Sequence, residues 1–157
     1  MLLHTVHLVK LLETMANGAY KITEEFEKLL CDYTGAPYAV ALDNQSNALF
    51  LSLYYEKIQG QEITIPSRTY PSVPCEIINA GGIPKFKESP KMLKGVYQLE
   101  PTNVYDSALR FTSNMYIDGS MMCLSFTGPY KHLKLGKAGA ILTDNKDAYE
   151  WFKRKRF

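Results

Sequence analysis

An α/β fold is predicted for this sequence: three layers, α-β-α, around a mostly parallel sheet of about seven strands. Three observations predict it. Short strand-like runs recur at 38–42, 62–66 and 83–87, and two apolar runs follow at 121–126 and 139–143. Segments with helical spacing lie between the first three, giving a β-α-β-α-β order that predicts right-handed crossovers. Polar residues gather just after the strands, where a doubly wound sheet places its ligands along one edge.

Each element has its own signal. Residues 4–17 carry Val6, Leu8, Val9, Leu11, Leu12 and Met15 at helical spacing, and Asn17-Gly18 is a stop. Thr23 is expected to cap a second helix, with Glu24, Glu25 and Glu27 in its first turn and Phe26, Leu29 and Leu30 on its apolar face. Gly35-Ala36-Pro37 breaks it before the strand 38–42. Asp43-Asn44-Gln45-Ser46 is a polar turn into an amphipathic helix over 47–58 that Gly60 ends. The strand 62–66 leads through 67–70 into a helix over 71–79, where Pro71 suits a first turn. Gly81-Gly82 ends that helix before the strand 83–87. Two further strands are expected at 95–99 and 103–106, with only Glu100-Pro101-Thr102 between them. That link is too short for a helical crossover, so either the two pair antiparallel or one is not a strand. Residues 144–157 read as a final helix.

The totals agree. A chain of 157 residues suits one domain, here 1–157, and can bury roughly two-thirds of its unfolded surface. A net charge of +2 gives no reason to expect nucleic acid or an anionic membrane as a partner. No apolar run has the length of a membrane span. The N-terminus lacks a basic segment and a cleavage site of the secretory kind. Cys31, Cys75 and Cys123 read as reduced core thiols of a cytoplasmic protein.

The chemistry is expected along the sheet edge. Gln45-Ser46-Asn47 opens a helix, whose N–H groups and dipole favour an anion such as phosphate; Ser46 as a plain helix cap is the alternative. Asp106, at a strand end, needs a cation or a protonated ring nitrogen as partner, or else serves as a cap or salt bridge. Tyr70 suits stacking on a ligand ring, or ordinary packing. Ser125 and Lys131 stand in the loop between the last two strands. A phosphate turn, an aspartate, an aromatic and a lysine together suit pyridoxal 5'-phosphate (PLP).

Six motifs in order resemble the DegT/DnrJ/StrS family of sugar aminotransferases. They are Phe26-Glu27 to Gly35, Asn44-Gln45-Ser46-Asn47-Ala48-Leu49, Ile65-Pro66-Ser67-Arg68-Thr69-Tyr70, Ala80-Gly81-Gly82-Ile83-Pro84-Lys85-Phe86, Asp106-Ser107-Ala108 and Lys131-His132-Leu133-Lys134-Leu135-Gly136. The resemblance implies the large domain of a fold type I, PLP-dependent aminotransferase. It implies that Lys131 forms the Schiff base and moves the proton, and that Asp106 keeps the pyridine nitrogen protonated. Ser46, the Asn47 backbone and Ser125 are implied to hold the phosphate, and Tyr70 to stack on the ring. It further implies a nucleotide-linked keto-sugar as substrate, glutamate as donor, a role in surface-polysaccharide synthesis, and a homodimer.

Some positions differ from the family pattern. Gln45 stands where the first-turn glycine is usual, and Leu109 where Gln or His is usual. The Ser125–Lys131 spacing is one residue longer, and 87–103 is compressed as if one crossover helix were missing. No C-terminal small domain is expected within 157 residues, which predicts a truncated or unusually small relative. A non-catalytic α/β domain is the alternative reading. A Rossmann-type nucleotide binder is weaker, since no G-x-G-x-x-G follows the first strand. His4 and His7 have no converging ligands to suggest a metal. Lys153-Arg154-Lys155-Arg156 reads as a solvated helix end.

Overall fold

The computed structural model describes residues 20–91, 95–128 and 133–156. The helix expected over 4–17, with its stop at Asn17-Gly18 and its His4 and His7, lies outside them, and so does Lys131. Seven strands and four helices are found among the described residues. In chain order they are α1 Lys21–Thr34, β1 Tyr38–Leu42, α2 Gln45–Tyr55, β2 Glu62–Pro66, α3 Ser72–Asn79, β3 Ile83–Lys87, β4 Tyr97–Gln98, β5 Val104–Ser107, β6 Met121–Ser125, β7 Gly139–Thr143 and α4 Lys146–Lys155.

The sheet is mixed, which corrects the expectation of a mostly parallel one. Five strands run in the order β1-β7-β6-β5-β4, and β2 pairs with β3 beside them. Main-chain bonds in both directions between Thr64 and Glu100 (2.8 and 3.2 Å) join the two groups. Among the described strands, only β5–β6 and β2–β3 pair in parallel. β4 lies antiparallel on β5, with Tyr97 opposite Asp106, because the short link between them leaves no room for a crossover. β7 is antiparallel to both of its neighbours. The loop that leaves β6 at Ser125 re-enters at Gly139, directly opposite, so the chain turns back beside the strand it has just left.

Helices cover both faces. On one face α2, α3 and α4 pack over Val40, Ile63, Ile65, Val104, Met121, Cys123 and Ile141. On the other, Phe26 and Leu30 of α1 pack over Ala39, Met122, Leu124, Ala140 and Leu142. β6 and β7 are buried on both faces, as their unbroken apolar sequences require.

Three local expectations are corrected. α1 starts at Lys21 rather than after Thr23: Glu24 N–H bonds back to Tyr20 O at 2.9 Å, which places Thr23 inside the first turn. Of the three cysteines, only Cys123 is a core thiol. Cys31 is half-buried and Cys75 exposed, because residue 75 falls on the outer side of the short helix α3. The basic end of α4 is not uniformly solvated. Lys153 (2.9 Å) and Arg156 both reach Glu27, a buried residue of α1. The same carboxylate accepts the Ala41 N–H at 2.8 Å, so it caps the edge strand β1 as well. One side chain thereby ties α1, β1 and α4 together.

Candidate active site

The strand directions decide what meets at the sheet edge. β1, β5 and β6 run one way and β4 and β7 the other. The carboxyl ends of the first three therefore share an edge with the start of β4 at Tyr97 and of β7 at Gly139. The exit of β2 joins them through the Thr64–Glu100 bridge. This is the edge that the polar clusters in the sequence anticipate.

Asp106 is the centre of the arrangement. It is buried, yet it sits in polar company. Its Oδ1 accepts from Gln45 Nε2 at 2.6 Å and from the Ala108 N–H at 2.8 Å. Its Oδ2 accepts from the Tyr97 hydroxyl at 2.6 Å. Gln45 Nε2 also donates to Cys123 O at 3.0 Å. The Tyr97 hydroxyl has one proton, spent on Asp106, so Thr69 Oγ1, 2.5 Å away, donates to it. Burial first, then the charge and hydrogen bond of Asp106, hold the Tyr97 hydroxyl above the usual tyrosine range, so it stays a donor. Burial likewise pushes the Cys123 thiol up to about 12, leaving it an unreactive neighbour of Ser52.

The turn beside Asp106 opens α2. Asn44 is the cap: its side chain accepts the Asn47 N–H at 2.8 Å. Ser46, the other candidate cap, is the second helical residue and half-buried, so its hydroxyl is not the cap. The Asn47 N–H, an expected phosphate donor, is held by Asn44, and the Asn47 side chain donates to Asp43 Oδ1 at 2.7 Å. Asp43 thus puts a carboxylate at the same exposed turn, which opposes an incoming anion.

The remaining expected residues stand around this turn. Ser125 ends β6 half-buried, paired with Gly139. Tyr70 is 68% exposed, one residue beyond the Thr69 that reaches Tyr97. Leu109 lies exposed after Asp106. The fold thus brings Ser46, Asn47, Tyr70, Asp106 and Ser125 to one edge, while Lys131 lies outside the described residues.

Gly139 locks the turn in place. A Cβ there would lie 2.4 Å from the Asn44 carbonyl carbon and 2.6 Å from the Gln45 nitrogen, which is backbone against backbone. Gly139→Ala is therefore expected to destabilise the protein by about 1–3 kcal/mol and to shift the start of α2. A urea midpoint unchanged from the parent would disprove that packing.

Sequence reasoning missed two partners of Asp106. In the sequence Gln45 figures as part of the phosphate turn and as a replacement for the usual glycine, and Tyr97 has no assigned role. The short β4–β5 link held the signal for Tyr97, since antiparallel pairing across it sets Tyr97 opposite Asp106.

Comparisons with known proteins bear on the fold and the family. The model of the DegT/DnrJ/EryC1/StrS aminotransferase family matches residues 5–104. No curated protein matches the chain by sequence. Among solved structures, a proposed PLP-dependent aminotransferase from Bacillus cereus ATCC 10987 is similar with a TM-score of 0.71 at 18% identity. It covers 95% of this chain and 54% of its own. DesI, solved in the presence of its TDP-sugar product, gives a TM-score of 0.68 at 19% identity, covering 95% of this chain and 49% of its own. NtdA from Bacillus subtilis with bound cofactor PMP gives 0.59 at 19% identity, covering 90% and 43%. At these identities the likeness establishes the α/β aminotransferase fold, and the chain spans about half the length of these relatives. With a family model matching well over half of its residues, the chain belongs to the DegT/DnrJ/EryC1/StrS aminotransferase family, whose cofactor is pyridoxal phosphate.

Proposed function

We propose that this chain is the cofactor-binding large domain, 1–157, of a PLP-dependent sugar transaminase. One observation carries the reading: a buried aspartate at a strand end faces the first turn of a helix across the sheet edge. Its substrate is a nucleotide-linked keto-sugar of surface-polysaccharide synthesis, glutamate is the amino donor, and the working form is a cytoplasmic homodimer. Those finer terms rest on the family resemblance. No helix among the described residues is long and apolar enough to cross a membrane.

The donor set fits the cofactor. The Ala108 N–H and the Tyr97 hydroxyl hold the Asp106 carboxylate in place, and the lone-pair position that Gln45 Nε2 takes on Oδ1 is one that suits a ring N–H. When bound, the cofactor supplies an electron sink for breaking bonds at the substrate carbon. Asp106 would keep a proton on the ring nitrogen. Ser46 and Ser125 would hold the phosphate with the Asn47 N–H, once that N–H is released from Asn44 Oδ1, and Tyr70 would cover the ring face. Lys131 would anchor the cofactor through its Nζ, and that amine would hold and move the proton of the reaction.

Mixing the protein with PLP, reducing with borohydride and mapping the peptides is expected to find the adduct on Lys131, with Lys131→Ala unlabelled. Labelling elsewhere, or none, would sink the assignment. A second reading, binding without turnover, is favoured by the Gln45 contact that already occupies Asp106. Glutamate added to the loaded protein separates the two: a spectral change marks transamination, and a constant spectrum marks binding alone.

A further inference from the structure

Gln45 does more than replace a glycine. It is the first residue of α2, so its backbone belongs to the turn proposed for the phosphate. Its side chain crosses from that turn to Asp106, where Nε2 donates to Oδ1 at 2.6 Å, and a second bond to Cys123 O at 3.0 Å fixes the amide. A cofactor held by its phosphate at the turn and by its ring nitrogen at Asp106 must run between the same two points. We propose that Gln45 is a tethered occupant of the ring site, whose amide presents to Asp106 the N–H that the cofactor ring would present. The proposal rests on the cofactor reading above and adds a competitor to it.

The surroundings make the occupant stable. The Ala108 N–H and the Tyr97 hydroxyl hold Asp106 from other directions, and Thr69 holds Tyr97, so the carboxylate stays aimed when the amide leaves. Gly139 packs against the Gln45 nitrogen, so the backbone of residue 45 cannot retreat. Entry of the ring therefore requires the side chain to rotate away, and the bond it gives up is charge-assisted and half-buried. The wild-type chain then holds the cofactor more weakly than a chain without the amide. In effect, binding must first break an internal contact.

The test measures PLP affinity of the full 157-residue chain by absorbance titration, for wild type, Gln45→Ala and Gln45→Met. Removing the amide is expected to tighten binding about tenfold in Gln45→Ala, roughly the worth of one such hydrogen bond. Gln45→Met keeps the bulk without the donor and is expected to fall between. A Gln45→Ala affinity equal to or weaker than wild type would overturn the proposal while leaving the cofactor site standing. Absence of binding by all three would overturn the cofactor reading and this inference with it. A second readout uses wild type alone. The Gln45 side-chain amide signal in the NMR spectrum, assigned by its loss in Gln45→Met, is expected to be protected from hydrogen exchange and to lose that protection on addition of PLP. An amide that keeps its protection in the loaded protein has not moved, and that would refute the competition.

Discussion

Asp106→Asn is expected to weaken PLP binding by roughly 100-fold while leaving the fold intact, since hydrogen bonds to a charged group are each worth about 1.5–3 kcal/mol. The amide has the shape of the carboxylate. Its oxygen still accepts from Gln45 Nε2 and the Ala108 N–H, while its Nδ2 faces the Tyr97 hydroxyl, which turns to accept and donates to Thr69 instead. Stability should therefore fall by about 1 kcal/mol or less. What the amide lacks is the negative charge that retains a proton on the ring nitrogen. Asp106→Ala is the contrasting variant: it orphans the Ala108 N–H and opens a polar void, at about 2–3 kcal/mol. Titration with PLP beside urea unfolding separates the two effects. Equal affinity in wild type and Asp106→Asn would show that the carboxylate does not touch the cofactor.

Glu27→Ala is expected to cost about 3–5 kcal/mol, the usual consequence of removing one partner from a buried ion pair. At about 2–4 °C per kcal/mol for a protein of this size, the midpoint of melting should drop by roughly 10 °C. The Glu27 side chain is 7% exposed, and its cations differ: Lys153 is 24% exposed and Arg156 only 3%. Arg156 therefore loses most, since water reaches it least. The Ala41 N–H on the edge of β1 also loses its acceptor. Glu27→Gln keeps that acceptor and is expected to lie between wild type and Glu27→Ala. A loss below about 1 kcal/mol in Glu27→Ala would mean that the contact behaves like a surface pair.

Much of the fold is legible in the sequence for a simple reason. β1, β2, β3 and β7 are bounded by Gly, Pro, Asn or Asp within a few residues, and the structure gives them the spans that the sequence predicts. Helix starts are less legible. Asn44 and Ser46 are both good caps, and only the main-chain path shows that Asn44 takes the role and commits the Asn47 N–H. The basic run at the C-terminus reads as solvated because the four residues 153–156 are all cationic. Its partner, Glu27, lies 126 residues from Lys153.

The sequence by itself determined the family, the cofactor that goes with it and the strand-end position of Asp106, because local motifs and short-range patterns carry all three. Tertiary structure alone decided that the sheet is mixed and that Gln45 reaches across to the carboxylate of Asp106. The physical reason is that these depend on strand direction and on side chains meeting across a sequence separation of 61, which no local pattern encodes.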